Sequence, residues 1–429
     1  MCAMRMLCRL RIQIMRERRL KQNDIIAGLD IGSSKVRIIV AEPDGEQMKI
    51  VGIGTAPCDG VRRGIIVNLE KTIEAIGSAL HDAESMAGVE LNSVFVAIGG
   101  DHIRSLSSRG VIGISRASGE ITHSDIARAI DAARAIAIPM DREIIHTIPL
   151  EFTVDDQPGI KDPTGFSGVR LEVEAYIVTA SVTLVQNLYR AVKKAGLDVK
   201  QLVLTPLASA EAVLSEDEKE LGCLLIDFGG GTNDLAVFYD GSIRHAAVIE
   251  LGGKSITNDI AIGLRTPLEN AEALKLQFGC ALSTLVNSED KIPIVGVGGR
   301  ASKEISRSVL TAIIEPRAEE IFGLALRDLR RTHYAKTLAT GIVLTGGGAA
   351  MPGIIELCEQ IFDMPVKVGR PRGFTGLMEI TDDPGNSTGL GLILYGMKQD
   401  QFDSTSNEGS ILEKILGPFL RIFGIGKRP

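Results

Sequence analysis

Two short stretches of the chain combine a carboxylate with a run of small residues, the combination that phosphate chemistry requires. Asp30-Ile31-Gly32-Ser33-Ser34-Lys35 and Asp227-Phe228-Gly229-Gly230-Gly231-Thr232 each join one apolar run to another. A nucleoside triphosphate with its metal needs several converging backbone N–H donors and one or two carboxylates facing the metal or its waters. Gly32, Ser33, Ser34 and Lys35 are candidates to hold phosphate from one side, and Gly229, Gly230, Gly231 and Thr232 from the other. Asp30 and Asp227 are the matching metal carboxylates, so the expected cofactors are ATP and Mg²⁺. Singly, each turn is an ordinary glycine hairpin; the pair in matching context is far more specific. A third element, Thr345-Gly346-Gly347-Gly348 after Ile342-Val343-Leu344, supplies the close backbone that a flat adenine ring needs, with Met351 just beyond it.

The elements that must position these turns read as one grammar used twice. IIAGLDIGSSKVRIIVAEP followed by MKIVGIGTAPC is strand, glycine turn, strand, strand, and LGCLLIDFGGGTNDLAVFYDGSIRHAAVIEL repeats it. Leu69 to Ala87 carries Ile73, Ile76 and Leu80 at helical spacing, and Val94 to Ile98 is a short buried-strand candidate ended by Gly99-Gly100. Residues 101 to 171 change texture: a helix capped by Ser124 and running through Ile136, then strand-like IIHTIPLEFTV, then a turn-rich segment. This stretch reads as a small inserted α+β module. The expected units are a basic extension (1–23), a first lobe (24–100 and 172–210) interrupted by the insert (101–171), and a second lobe (211–254 and 331–398). The second lobe carries a small helical subdomain (255–330), and a polar linker (399–410) leads to a tail (411–429).

Length, charge and cysteine usage bound the function. A chain of 429 residues exceeds what one core usually serves. A net charge of −7 argues against nucleic acid as a partner, although basic residues concentrate at both ends. The six cysteines have no Cys-x-x-Cys spacing and read as reduced cytosolic thiols. The basic N-terminus lacks the apolar core of a signal peptide, and no apolar run of about eighteen residues spans a membrane. The tail carries a different signal. Ile411, Leu412, Ile415, Leu416, Phe419, Leu420 and Phe423 form a helical apolar stripe, with Arg421, Lys427 and Arg428 available to anionic lipid. Gly417-Pro418 breaks that helix into two pieces; the alternative reading is a helix docked on the parent domain.

The three glycine motifs, in this order, resemble the actin, heat-shock chaperone and sugar-kinase ATPase superfamily. The resemblance implies two related α/β lobes with a nucleotide between them, and it assigns Glu272 and Lys275 to the ribose and adenine. Whole phrases (HTIPLEF, GIKDPTGFSGVRL, SVLTAIIEPRAEEI, GIVLTGGGAAMPG) are more closely similar to the FtsA family of bacterial cell-division proteins, which carries the inserted subdomain. That resemblance implies an adaptor that polymerises as an actin-like filament with itself on anionic membrane lipid. It would bind the C-terminal peptide of FtsZ and other division proteins, at the cytoplasmic face of the inner membrane and at the division septum. Residues 255–330 would dock FtsZ, with Arg300 and Arg317 near partner or polymer contacts. Where chaperone-type relatives place a glutamate before proline, this chain has Thr205-Pro206. Threonine is no carboxylate base, so at most slow or regulatory ATP turnover is expected. The competing readings are a small-molecule kinase, for which no substrate or base motif is found, and a pilus-assembly scaffold, which shares the insert.

Overall fold

The computed structural model describes residues 25–115, 119–294 and 303–405. The N-terminal extension, Arg300 and the apolar tail residues from Ile411 to Phe423 lie outside the described residues, as do Lys427 and Arg428. In chain order the first half contains β1 (Ile26–Ile31), β2 (Lys35–Asp44), β3 (Gln47–Pro57), β4 (Val61–Arg62), β5 (Ile65–Ile66), α1 (Leu69–Ala87) and β6 (Ser93–Ile98). Then come β7 (Arg104–Gly113), α2 (His123–Arg134), β8 (Arg142–Val154), β9 (Gln157–Ile160), β10 (Arg170–Ser181), α3 (Val182–Lys194), β11 (Asp198–Leu204) and α4 (Thr205–Val213). The second half continues with α5 (Glu216–Leu221), β12 (Cys223–Phe228), β13 (Asn233–Tyr239), β14 (Ser242–Ile249), α6 (Gly253–Leu264), α7 (Leu268–Phe278), β15 (Lys291–Ile294), β16 (Lys303–Ser306) and α8 (Arg307–Leu329). It closes with β17 (Ile342–Thr345), α9 (Ile354–Phe362), β18 (Val366–Val368), β19 (Phe374–Gly376), α10 (Met378–Asp382) and α11 (Ser387–Thr405).

The duplication expected from the two hairpin texts is present in the sheets. The first has the order β11-β6-β1-β2-β3-β19 and the second β14-β13-β12-β17-β18. In each, an antiparallel three-strand meander is extended by two parallel strands on the side of its first strand. β12 is buried at every position, and its side chains divide by the period of two. Leu224, Ile226 and Phe228 enter one core with α8 and α9, whereas Cys223 and Leu225 join the core shared with the first sheet and α11. Both faces of the second sheet are therefore covered, as its unbroken apolar text requires.

Helix α1 spans the expected residues, but its buried stripe is Thr72, Ala75, Ile76, Ala79 and Ala83, with Ile73 and Leu80 only partly buried. Small side chains face inward because the helix lies almost on the backbone of β3: a Cβ on Gly54 would stand 1.8 Å from the Ala79 carbonyl. Asn68 caps its start, accepting from the Lys71 N–H at 3.0 Å, and Gly88 ends it at φ 67°.

The inserted module has its own sheet, β7-β10-β8-β9, and its own core around Ile126, Ile130, Phe152, Leu171 and Val173. Two expectations are corrected. Helix α2 is capped at Thr122 rather than Ser124 and ends at Arg134, because the Asp125 carboxylate accepts from the Thr122 N–H at 3.0 Å. The strand AYIVTAS, read as the resumption of the first lobe, belongs to β10 and pairs with β7 and β8 as far as Thr179 and Ser181 respectively. A bulge in β8 at Leu150 explains why both readings are partly true. Ile148 packs with Tyr176 and Val178 on the first lobe, and Phe152 packs with Leu171 and Val173 in the insert. The third departure is in the linker: α11 continues through residues 399–405, so the first half of that polar segment is helical. A helix already nucleated on a packed core propagates through polar residues at little cost. The subdomain at 255–330 is helical as expected, with an added two-stranded ribbon, β15-β16.

Candidate functional site: a cleft between two copies of one hairpin

The two hairpins build their turns in the same way. Gly32 N–H donates to the Lys35 carbonyl at 3.1 Å, and Gly229 N–H to the Thr232 carbonyl at 2.9 Å. A Cβ on either glycine would stand 2.9 Å from that carbonyl, so the turn excludes a side chain there. The ladders place Asp30 opposite Arg37 and Asp227 opposite Asp234. The residue seven beyond each motif aspartate thus faces it across the turn. Arg37 and Asp234 were missed from the sequence, and this hairpin register is the signal that finds them.

Between the hairpins lies a cleft of about 550 Å³. It is lined by Asp30, Gly32, Ser33, Ser34, Lys35, Gly229, Gly230, Gly231 and Thr232, and also by Asp227, Glu272, Lys275, Gly346, Gly347, Gly348 and Met351. Every phosphate, metal and adenosine candidate of the sequence is therefore brought together in one cavity. Two lining residues, Ser33 and Thr232, are nearly buried, and Thr205 and Asp234 close the same floor around Gly99.

The floor is acidic and mostly shielded from water. Burial raises the Asp30 carboxyl to about 6 against the pull of Arg37. Asp227 is also raised by burial, opposed by hydroxyl hydrogen bonds from Ser209 at 2.6 Å and Thr388 at 3.0 Å. Asp234, 6% exposed, is pushed to about 7, first by burial and then by the Asp227 charge. Its Oδ2 accepts from Thr232 at 3.1 Å, while its Oδ1 is buried without a partner. A carboxylate poised near neutrality is suited to proton transfer, and it stands beside Thr205, where the chaperone-type glutamate is lacking. Arg37 donates to the Gly385 carbonyl and lies 3.5 Å from Asp383, so its charge bridges the floor and the loop before α11.

On the adenosine side, Gly346 sits at φ 83° with its Cα against Asp227, and a Cβ on Gly348 would enter the Phe228 ring at 2.4 Å. Gly347 has open space on its Cβ side, facing the cavity. Glu272 and Lys275 are more than an exposed helical pair. The Lys275 ammonium donates to Glu272 at 2.7 Å, Thr257 at 2.9 Å and the Gly253 carbonyl at 3.1 Å, tying α7 to the start of α6. Arg317 is engaged within the subdomain: it forms a two-point pair with Asp259 at 2.5 and 3.1 Å and a further bond to Glu320, joining α8 to α6.

The donor set fits a nucleotide with a divalent cation. Glycines, the lysines Lys35 and Lys275 and the hydroxyl residues Ser33, Ser34 and Thr232 line the cavity with the carboxylates of Asp30, Asp227 and Asp234 on its floor, and the unpartnered Asp234 Oδ1 shows unspent polarity there. Among the described residues no three His, Cys, Asp or Glu side chains are grouped to hold a metal by themselves. A cation here would draw its remaining oxygens from phosphate and water, as Mg²⁺ does.

Two sheets of the same topology around a glycine-lined cleft, with a four-stranded module inserted in the first, define an actin-like ATPase fold. Solved structures agree on the fold. A PilM–PilN type IV pilus biogenesis complex matches with a TM-score of 0.62 at 18% identity, covering 86% of this chain and 98% of that one. MreB5 of Spiroplasma citri bound to ADP matches with a TM-score of 0.54 at 15% identity, covering 90% and 100%. Family models match cell division protein FtsA over residues 224–391 and the SHS2 domain inserted in FtsA over residues 100–179. The cell division protein FtsA of Pseudomonas aeruginosa is 46% identical, covering 90% of this chain and 93% of that protein; that of Neisseria meningitidis is 43% identical, covering 92% and 95%. The chain belongs to the FtsA family of cell division proteins.

Proposed function

We propose that the chain is an actin-like, ATP-binding adaptor that polymerises on the cytoplasmic face of the bacterial inner membrane and tethers FtsZ to it at the division septum. The observation that carries this reading is the pairing of two equivalent Asp-turn hairpins around one cavity in a chain of the FtsA family. Asp30 and Asp227 would hold Mg²⁺ or its waters, the two turns the phosphates, and Glu272, Lys275, Gly346, Gly347, Gly348 and Met351 the adenosine. Mg²⁺ held there would supply charge neutralisation to the phosphates. Thr205 brings no carboxylate, so turnover is slow and the nucleotide acts mainly by setting how the lobes meet. The subdomain at 255–330 would receive the FtsZ peptide and residues 411–429 the membrane. Arg300 remains the candidate partner contact, whereas the Asp259 pair gives Arg317 a bracing role first.

Flotation with anionic vesicles and a labelled peptide from the FtsZ C-terminus tests the adaptor. The full chain carries the peptide to the vesicle fraction; a chain lacking residues 409–429 leaves both in solution while still binding the peptide. Vesicle binding that survives the deletion would remove the tail from the account, and absence of peptide binding would remove the FtsZ tether.

A further inference from the structure

At the mouth of the cleft one cation crosses from the second lobe to the first. Gly253 N–H donates to the Gly229 carbonyl at 3.0 Å and Lys254 N–H to the Gly230 carbonyl at 2.8 Å, so the first turn of α6 is fixed on the second phosphate turn. From that base the Lys254 ammonium reaches across and donates to the Ser33 carbonyl at 2.6 Å, on the first phosphate turn. The two turns nearly touch there: a Cβ on Gly231 would stand 2.3 Å from Ser33 Oγ, and one on Gly230 2.2 Å from Ser34 Oγ. Ser33 Oγ also accepts from Gly64 N–H at 3.1 Å, and next to Gly64 Arg63 forms a second cross-lobe link, 2.6 Å from Glu250.

Lys35 lines the cavity from the first turn, and two other cations of the site are already bonded. Lys275 has a carboxylate, a hydroxyl and a carbonyl around it, and Arg37 lies between the Gly385 carbonyl and Asp383. Lys254 meets an uncharged carbonyl, and among the described residues no carboxylate pairs with it. An ammonium on a carbonyl gains from exchanging that partner for an anionic oxygen, because attraction between opposite charges is then added to the hydrogen bond. In a nucleotide whose inner phosphates lay on the glycines, the outermost phosphate would be the anion available to the junction of the two turns.

We propose that Lys254 is the residue by which the second lobe distinguishes a nucleoside triphosphate from a diphosphate, moving its ammonium from the Ser33 carbonyl to the terminal phosphate. The proposal rests on the nucleotide reading of the cleft and adds to it a basis for discrimination: a triphosphate has one more anionic group than a diphosphate to offer the ammonium that spans the two turns.

Calorimetric titration of the full chain with Mg²⁺ and either a non-hydrolysable ATP analogue or ADP tests it, using wild type, Lys254→Gln and Lys254→Arg. Lys254→Gln weakens the triphosphate analogue about 10- to 30-fold, as loss of a hydrogen bond to a charged group does. It weakens ADP less than about threefold, and Lys254→Arg restores part of the difference by keeping the charge. The melting temperature without nucleotide stays close to wild type, since Lys254 is exposed. Equal weakening of both ligands, or no weakening of either, overturns the role of Lys254. A wild-type chain that binds neither ligand overturns the nucleotide reading itself, a separate and distinguishable failure.

Discussion

His146 is a side chain whose chemistry is set by where the fold puts it. It is 3% exposed on β8, and its Nε2 accepts from the Leu204 N–H at 3.0 Å, one residue before Thr205. Burial pushes the imidazole down to about 4, so the folded protein keeps it neutral while the unfolded chain protonates near 6.5. The unfolded state therefore binds more protons between those values, and the stability this group contributes is complete above about 6.5 and lost as pH falls towards 4. Between pH 7 and pH 4.5 this group alone should contribute about 2–3 kcal/mol, while the raised carboxyls of Asp30 and Asp234 act in the opposite sense. Urea titrations of wild type and His146→Gln at the two pH values should therefore show a change with pH that differs between the proteins by about 2–3 kcal/mol; the same change in both would remove His146 from the account. Gly346→Ala makes a second residue-scale case. Its Cβ would lie 2.4 Å from Asp227 Oδ1 at a left-handed φ, so chemical unfolding should show a loss of about 2–4 kcal/mol. The two turns that meet in the cleft could be singled out in sequence because a carboxylate beside small residues recurs in matching strand context. Arg37 and Asp234 were hidden because their roles depend on cross-turn pairing rather than on neighbours in the chain.

Elements carry the next set of constraints. Helix α11 lies against α4 so closely that a Cβ on Gly391 would stand 1.7 Å from the Ala208 carbonyl. Beside this contact, a buried ion network joins α4, α5 and α11: Lys219 lies 3.3 Å from Glu211 and 3.2 Å from Glu216, and Lys398 pairs with Glu211. Burial alone would raise the Glu211 carboxyl, but Lys219 and Lys398 pull it down to about 2. Glu211→Gln removes the centre of this network and leaves Lys219 nearly enclosed, which should cost on the order of 3 kcal/mol in thermal or urea unfolding. A loss under about 0.5 kcal/mol would show that the network is solvated in solution. The helix and strand text of both lobes was legible from periodicity, whereas the limits of the insert were not. β10 serves the insert at Leu171 and Val173 and the first lobe at Val178 and Ala180, and a continuous strand gives no local sign of the handover. The extension of α11 into polar residues was invisible for a similar reason, since its support comes from the core behind it.

At the scale of the whole molecule, the insert is tied to both lobes. His146 joins it to β11 of the first, and Lys161 reaches Glu220 at 2.9 Å and Asp240 at 3.1 Å in the second. Tyr176 on β10 also bonds Ser105 at 2.6 Å on the neighbouring strand, stiffening the sheet between those attachments. The insert thus contacts both lobes, through a buried imidazole on one side and partly exposed ion pairs on the other. The duplicated architecture was readable from two matching hairpin texts, but the contact between their turns was not, because no pattern within either copy reports on the other. All of this depends on the cleft holding Mg-ATP between Asp30 and Asp227. The direct measurement is calorimetric titration of ATP with Mg²⁺ into the full chain and into Asp227→Ala, with circular dichroism confirming that both are folded. The account predicts saturable binding by the wild type and a loss of at least about tenfold in the variant, the scale of a lost charged contact. Equal affinity in the two proteins, or no binding by the wild type, would contradict it.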